Sequence, residues 1–292
     1  MYASPSPPAN PHILPLALNP TRKPHLLLRL FAWFLALAAA SFISFAWLFP
    51  DLGDTGRWIE PLNWLVFCGR TFGYHIGIAL LLLILLMLLR KLWGPSMLAS
   101  AVALWCLWPS IWSLRPRSEP PPSGPPLLSV YSVNAQFGFV DPVRLLAEIT
   151  SLDADLIIIQ EHNPRVQSIL PALLDKYPHT IEAMREDAFG MAILSKFPFV
   201  GTPQNYPYFG IALKLPQIKA VIDVNGTHIV VQGIHALPPV SFSYLSEQRQ
   251  LIRALANWVQ TETRPLIIVG DFNCTPEYIS MGWMKQAGME DA

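Results

Sequence analysis

The sequence predicts an α/β domain carried behind a set of membrane-length apolar helices. Three observations predict it. Charge is unevenly spread: residues 1–126 hold nine Lys+Arg against four Asp+Glu, and residues 127–292 hold eleven against sixteen. A basic, strongly apolar front therefore precedes an acidic back of ordinary globular composition. The front contains uncharged runs near twenty residues, the length that crosses about 30 Å of hydrocarbon. The back alternates short apolar runs with helix-patterned segments, the sequence form of an α/β fold. No basic tract advertises nucleic-acid binding. Cys68, Cys106 and Cys274 lie too far apart for a zinc spacing or a disulfide framework.

Residues 1–25 carry seven prolines among small and polar residues and read as a disordered tail. Region 26–114 is expected to hold about three membrane helices, at 30–49, 71–89 and 92–114. Arg22, Lys23 and Arg29 flank the first run, Arg90 and Lys91 close the second, and the 50–70 loop between them is mildly acidic. The excess of positive residues on cytoplasmic loops then places the N-terminus inside and everything after the third span outside. Arg115 and Arg117 pull the other way; a third stretch lying in the interface would leave the following domain in the cytoplasm. His75, near the start of the second run, is expected to reach the interface, and Trp93, Trp105, Trp108 and Trp112 form in part an aromatic belt. Residues 115–126 are a Pro-rich linker, a semi-rigid spacer expected to stand the next domain off the membrane.

From residue 127 the pattern is α/β. Strands are expected at 127–133, 155–160, 191–195, 211–215, 220–224 and 228–234, with Asn225-Gly226 as a hairpin turn between the last two. Helices are expected at 142–150 with Asp141 as N-cap, at 166–176, at 244–260 with Leu251, Ile252, Leu255 and Trp258 on one face, and at 277–287. Between the last two helices, 266–269 is a run of four apolar residues, which reads as a strand buried on both faces. It leads into Gly270-Asp271-Phe272-Asn273. Strand alternation would aim Asp271 and Asn273 one way and Phe272 the other.

Four strands end in polar groups that suit a metal and a phosphate: Asn134, Glu161 just after Gln160, His235, and Asp271 with Asn273. A carboxylate behind three isoleucines, as at Glu161, is costly unless solvated, paired or metal-bound. Magnesium takes one or two carboxylates plus waters and phosphate oxygens, a description that Glu161 fits with help from Asp271 or Asn134. Each residue also has a structural alternative. Asn134 can shape a turn, His235 can be a loop histidine, Glu161 can cap the next helix, and Asn273 or Thr275 can cap the last one.

The series Ser132-Val133-Asn134, Asp155 through Glu161, Gly190 through Ser195, His235 with Pro238-Pro239, and Gly270 through Asn273 resembles the endonuclease/exonuclease/phosphatase superfamily over residues 127–292. The apolar front resembles a bacterial, membrane-anchored subgroup. The resemblance implies a four-layer α-β-β-α sandwich with its site at one rim, and Mg²⁺-dependent (or Mn²⁺-dependent) hydrolysis of a phosphoester. It implies that Glu161 holds the metal, that Asn134 assists metal and phosphate, and that His235 contacts the phosphate. Asp271 would orient or deprotonate the attacking water, and Asn273 would fix that water or a phosphate oxygen. With that subgroup, and with the orientation that the positive residues give, the expectation is a multi-pass protein of the cell inner membrane with its C-terminal domain on the extracytoplasmic side. The substrate class stays open among lipid head groups, nucleic acid and small phosphoesters, and the oligomeric state is not legible. One departure is plain: the superfamily pattern ends on a further Asp and a Ser-Asp-His that these 292 residues do not contain. The expectation is a C-terminally truncated, incomplete domain with little or no activity, the alternative being an inactive membrane-tethered binding module or a gene fragment.

Overall fold

The structure, a computed structural model, describes residues 26–49, 51, 53, 56, 58–114 and 127–290. The expected tail over 1–25 and the expected spacer over 115–126 lie outside the described residues. Four helices come first: α1 (Leu26–Leu48), α2 (Ile59–Thr71), α3 (Gly73–Leu89) and α4 (Trp93–Ser113). Helices α1 and α4 are each long and apolar enough to cross a membrane, and α2 with α3 makes a third candidate bent by 65°. Small residues, Ala36, Ala99 and Ala103, let α1, α3 and α4 approach around Ile43, Leu80 and Ile84.

Two expectations change here. The 50–70 segment is not a plain loop, because most of it is α2. Glu60 in its first turn and Arg70 in its last suit the helix dipole. The face that holds it in place belongs to contacts distant in sequence. Phe67 meets Tyr278 edge-on with ring centroids 5.0 Å apart, and Trp64 meets Phe242 at 5.7 Å. Trp64 Nε1 donates to Pro239 O at 3.4 Å, and Arg70 Nη1 donates to Glu277 O at 3.5 Å. Just ahead of α2, Asp51 receives Arg249 at 2.6 Å and Arg253 at 2.8 Å. The C-terminal domain is therefore seated directly on the helical region rather than held away from it, because α2 supplies a docking face.

That domain runs β1 (Val130–Asn134), α5 (Pro142–Leu152), β2 (Leu156–Gln160), α6 (Pro164–Gln167), β3 (His179–Ala183), β4 (Met191–Ser195), β5 (Lys219–Val224), β6 (Thr227–His235), α7 (Phe242–Val259), β7 (Leu266–Asp271) and α8 (Ile279–Gln286). One sheet has the order β1-β2-β4-β3 and the other β5-β6-β7. Strand periodicity builds the layers. Leu156 and Ile158 of β2 and Met191 and Ile193 of β4 face Ile222, Val224 and Val231 of the second sheet. Their neighbours Ile157, Ile159, Ala192 and Leu194 face outward onto Leu145 and Ile149 of α5. On the far side, Ile234 and Ile268 meet Ile252, Leu255 and Val259 of α7 and Met284 of α8. The result is the expected helix–sheet–sheet–helix stack. Every residue of β2 is fully buried, each large apolar one contributing about 1.5–3 kcal/mol.

Several local expectations fail for identifiable reasons. The helix expected at 166–176 is only α6 and a short 3₁₀ turn at Leu170–Ala172, since Pro171 cannot donate to a continuing helix. The strand expected at 211–215 is irregular chain. The strand over 266–269 is covered on both faces as expected, Leu266 and Ile268 toward α7 and α8 and Ile267 and Val269 toward the first sheet. Each residue is only partly buried, because β7 is the edge of a three-stranded sheet and pairs only with β6 among the described residues. The hairpin turn does form, with Asn225 and Gly226 at φ of 54° and 87°.

Candidate active site

Parallel pairing brings the polar strand ends together. β1 and β2 run parallel with Asn134 opposite Gln160, and β6 and β7 run parallel with His235 opposite Asp271. Each pair therefore ends at the same rim of its sheet. One hydrogen bond then joins the sheets: Asn134 Nδ2 donates to Asp271 Oδ2 at 3.1 Å. The same Asn134 also accepts from Gln136 N at 2.8 Å, so it both shapes its turn and reaches the site.

The Asp271 carboxylate is held from two sides, its other oxygen accepting the backbone N–H of Asn273 at 2.8 Å. The strand ends at Asp271 and Asn273 takes a left-handed φ of 51°, so simple alternation does not carry through to it. Its side-chain amide donates to Ala236 O at 2.8 Å, while Phe272 packs among the α7 and α8 side chains. Helix α8 begins after Tyr278 with no side-chain cap, so neither Asn273 nor Thr275 is spent on capping.

Glu161 sits one residue beyond β2 at a φ of 59°. It does not cap the following helix; Asn163 does, accepting from Arg165 N and Val166 N. Two contacts hold the backbone of this turn. Asn163 Nδ2 donates to Glu161 O at 3.1 Å, and His162 N donates to Gly190 O at 3.0 Å. Only glycine fits at 190, where a Cβ would lie 1.9 Å from His162 O. His162 itself is buried as a brace, with Nε2 at 2.6 Å from Gln167 Oε1 and 3.1 Å from Glu182 Oε2.

His235 ends β6 and is 3% exposed, not a loop residue. Its ring lies against Phe189 at 5.5 Å, and its buried Nδ1 has no hydrogen-bond partner among the described residues. Burial pushes its pKa below the ordinary histidine value, partly offset by the negative charges of Asp271 and Glu161. Folding thus disfavours the protonated form of His235, while the unfolded chain takes up that proton near pH 6.5. Stability from this group is complete above that value and is lost as pH falls through it. The thermal midpoint of the metal-free protein is expected to drop between pH 7.5 and 5.5, and His235→Gln should flatten that acid limb. An unchanged limb in the variant would remove His235 as its cause.

Two residues outside the sequence reading hold the site in place. Gln217, 1% exposed, grips both backbone groups of His235, accepting from its N–H at 2.7 Å and donating to its carbonyl at 2.9 Å. Gln248, fully buried on α7, donates to Phe272 O at 3.0 Å and Asn273 O at 2.8 Å. Gln248 left a trace in the sequence, a polar residue on the helix face of Leu251, Ile252 and Leu255; Gln217 left none.

Among the described residues no three or more His, Cys, Asp or Glu gather into a metal cluster. Of these site groups, only the Asn134 amide and the Asp271 carboxylate touch across the two sheets. The charges of Asp271 and Glu161 both act on His235, so the oxygen donors available at this rim are those two carboxylates with Asn134. Glu161 makes no hydrogen bond through its carboxylate among those residues. Such a set fits a hard cation that keeps most of its waters.

The chain belongs to the endonuclease/exonuclease/phosphatase family, whose model matches residues 131–290. Its relatives in that family are phosphoester hydrolases. Among solved structures it is similar to an endonuclease/exonuclease/phosphatase from Beutenbergia cavernae DSM 12333, at 21% identity and TM-score 0.44, over 56% of this chain and 54% of that one. It is also similar to sphingomyelinase C from Streptomyces griseocarneus, at 18% identity and TM-score 0.43, over 55% and 69% of the two chains. A humanized D. rerio TDP2 matches at 17% identity and TM-score 0.44, over 53% and 66%. The chain thus spans about half the length of the first of these structures. A search of curated proteins gives no match.

Proposed function

We propose that this chain is a membrane-anchored, metal-dependent phosphoesterase of the phosphodiesterase, nuclease or phosphatase type. The observation that carries the reading is the Asn134–Asp271 hydrogen bond, which joins the rims of two sheets beside the buried His235. Glu161, with Asn134, would hold Mg²⁺ or Mn²⁺. When bound, that ion supplies charge neutralisation at the phosphate and a lower pKa for coordinated water. Asp271, fixed by its two donors, accepts the proton of the attacking water and sets its direction. His235 contacts a phosphate oxygen from an apolar setting in which a hydrogen bond is worth more than in water. Asn273 gives one amide hydrogen to Ala236, leaving the rest of its amide for the water or a phosphate oxygen. Phosphoryl transfer depends mostly on such positioning and charge stabilisation.

The helices support an anchor and an orientation. Asp51 and α2 touch the C-terminal domain, so the segment between α1 and α3 lies on the domain's side. Helices α3 and α4 then run out and back as a hairpin, leaving Arg29, Arg90 and Lys91 on the opposite face. The positive-inside rule makes that face cytoplasmic and the domain extracytoplasmic, in a multi-pass inner-membrane protein.

The test is turnover of bis(p-nitrophenyl) phosphate by the full chain in detergent, with Mg²⁺ and with chelator. Hydrolysis is expected to need the metal, and Glu161→Gln should raise the Mg²⁺ required by about tenfold or more. Turnover that ignores the chelator would overturn the proposal, and none above the buffer would overturn it in favour of the inactive membrane-tethered binding module.

A further inference from the structure

The rim that carries Asn134, Glu161, His235 and Asp271 is also the rim on which α2, the helix that leads into the apolar α3, docks. Trp64 of α2 bonds Pro239, in the loop that follows His235, and Arg70 and Phe67 reach Glu277 and Tyr278, in the segment that follows Asn273. Helix α2 is bent by 65° from α3. With α3 crossing a bilayer, α2 turns toward the plane of the head groups, and the rim seated on it faces that plane.

Two segments at this rim, the loop after Asn134 and the loop after His235 with the first residue of α7, present large apolar side chains outward. After Asn134, Phe137 is 48% and Phe139 89% exposed; after His235, Val240 is 75% and Phe242 43% exposed. Gln136 and Phe137 both hold left-handed φ, 48° and 45°, a strained display of the kind that clusters at ligand contacts. Single exposed hydrophobics are ordinary. Here they flank one site on both of its sheets, and Phe242 is continuous with Trp64 and so with the helical region.

We infer that the site opens onto the bilayer and that its substrate is the phosphoester head group of a membrane lipid. This rests on the phosphoesterase reading and names its substrate class. Lipid held at the interface by its own acyl chains needs no cationic surface to capture it, in keeping with the acidic balance of residues 127–292. Water forms the new P–O bond, the P–O bond to the leaving alcohol breaks, and that alcohol carries off a proton.

The full chain is reconstituted in vesicles of phosphatidylethanolamine and phosphatidylglycerol, with bis(p-nitrophenyl) phosphate as the soluble comparison. Vesicle lipid is expected to be hydrolysed, and Phe139→Ser with Val240→Ser should cut that rate about tenfold while leaving the soluble ester unaffected. A photoactivatable benzophenone at position 139 should capture lipid, and one at exposed Leu152, at the opposite end of β2, should not. Turnover of the soluble ester alone, or equal capture from both positions, overturns the lipid assignment and leaves the phosphoesterase reading standing. Turnover of neither overturns both.

Discussion

Asp271→Asn is expected to lower phosphodiester turnover by about 10²–10⁴-fold, the usual contribution of a positioned acid–base group. The substitution keeps the shape of the side chain, and the reason for the loss is specific. One Asp271 oxygen accepts Asn273 N and the other accepts Asn134 Nδ2. An asparagine has one acceptor oxygen to offer, so one of the two donors meets an N–H instead. Asn134 cannot answer by turning its amide over without losing its bond to Gln136 N. The negative charge that would take the water's proton is gone as well. The unsatisfied donor costs about 1–3 kcal/mol of stability, so a thermal melt should accompany the kinetics. A folded variant that retains more than a tenth of the rate would remove Asp271 from the chemistry.

Gly270→Ala is expected to destabilise the protein by about 3 kcal/mol or more, through strain and overpacking together. Gly270 holds a φ of 139°, and a Cβ there would sit 2.0 Å from Ile234 O and 3.0 Å from its carbonyl carbon. That carbonyl belongs to β6, the central strand of its sheet, paired on one side with β5 and on the other with β7. Neither backbone has room to move. Gly201 is a useful comparison, since it has φ of 74° but nothing within 4 Å of its Cβ position. Gly201→Ala should show the cost of strain alone, about 1–3 kcal/mol. If the two variants lose the same thermal stability, the close approach of β7 to β6 is not what glycine serves here. Because Gly270 immediately precedes Asp271, the variant should also lose turnover.

The elements that were legible are those whose signal is local. Met191–Ser195 is a strand with the bounds its apolar run indicated, and Asp141 caps α5 with Pro142 in the first turn. Which residues of β2 and β4 face the second sheet only the fold shows, because every residue of both strands is buried. Elements whose state depends on distant neighbours were not legible. His179–Ala183 is a half-buried edge strand with little apolar pattern, and it escaped notice. Conversely, 211–215 alternates like a strand but pairs with no strand among the described residues. The apolar run at 266–269 is covered on both faces, but its partial exposure at a sheet edge was not legible, because composition does not report which strand will stand at the end of a sheet.

By itself the sequence determined the class of fold, most of its strands and long helices and the residue types standing at four strand ends, because periodicity and turn chemistry act over a few residues. Only the tertiary structure decided that Asn134 and Asp271, in different sheets and separated by 137 positions, share a hydrogen bond. It alone recruited Gln217 and Gln248 as supports, and it alone seated α2 against α7 and the segment after Asn273. The physical reason is common to all three. A hydrogen bond or a docking face is a relation between surfaces that only packing brings together, and no local pattern in the chain encodes which surface will arrive opposite.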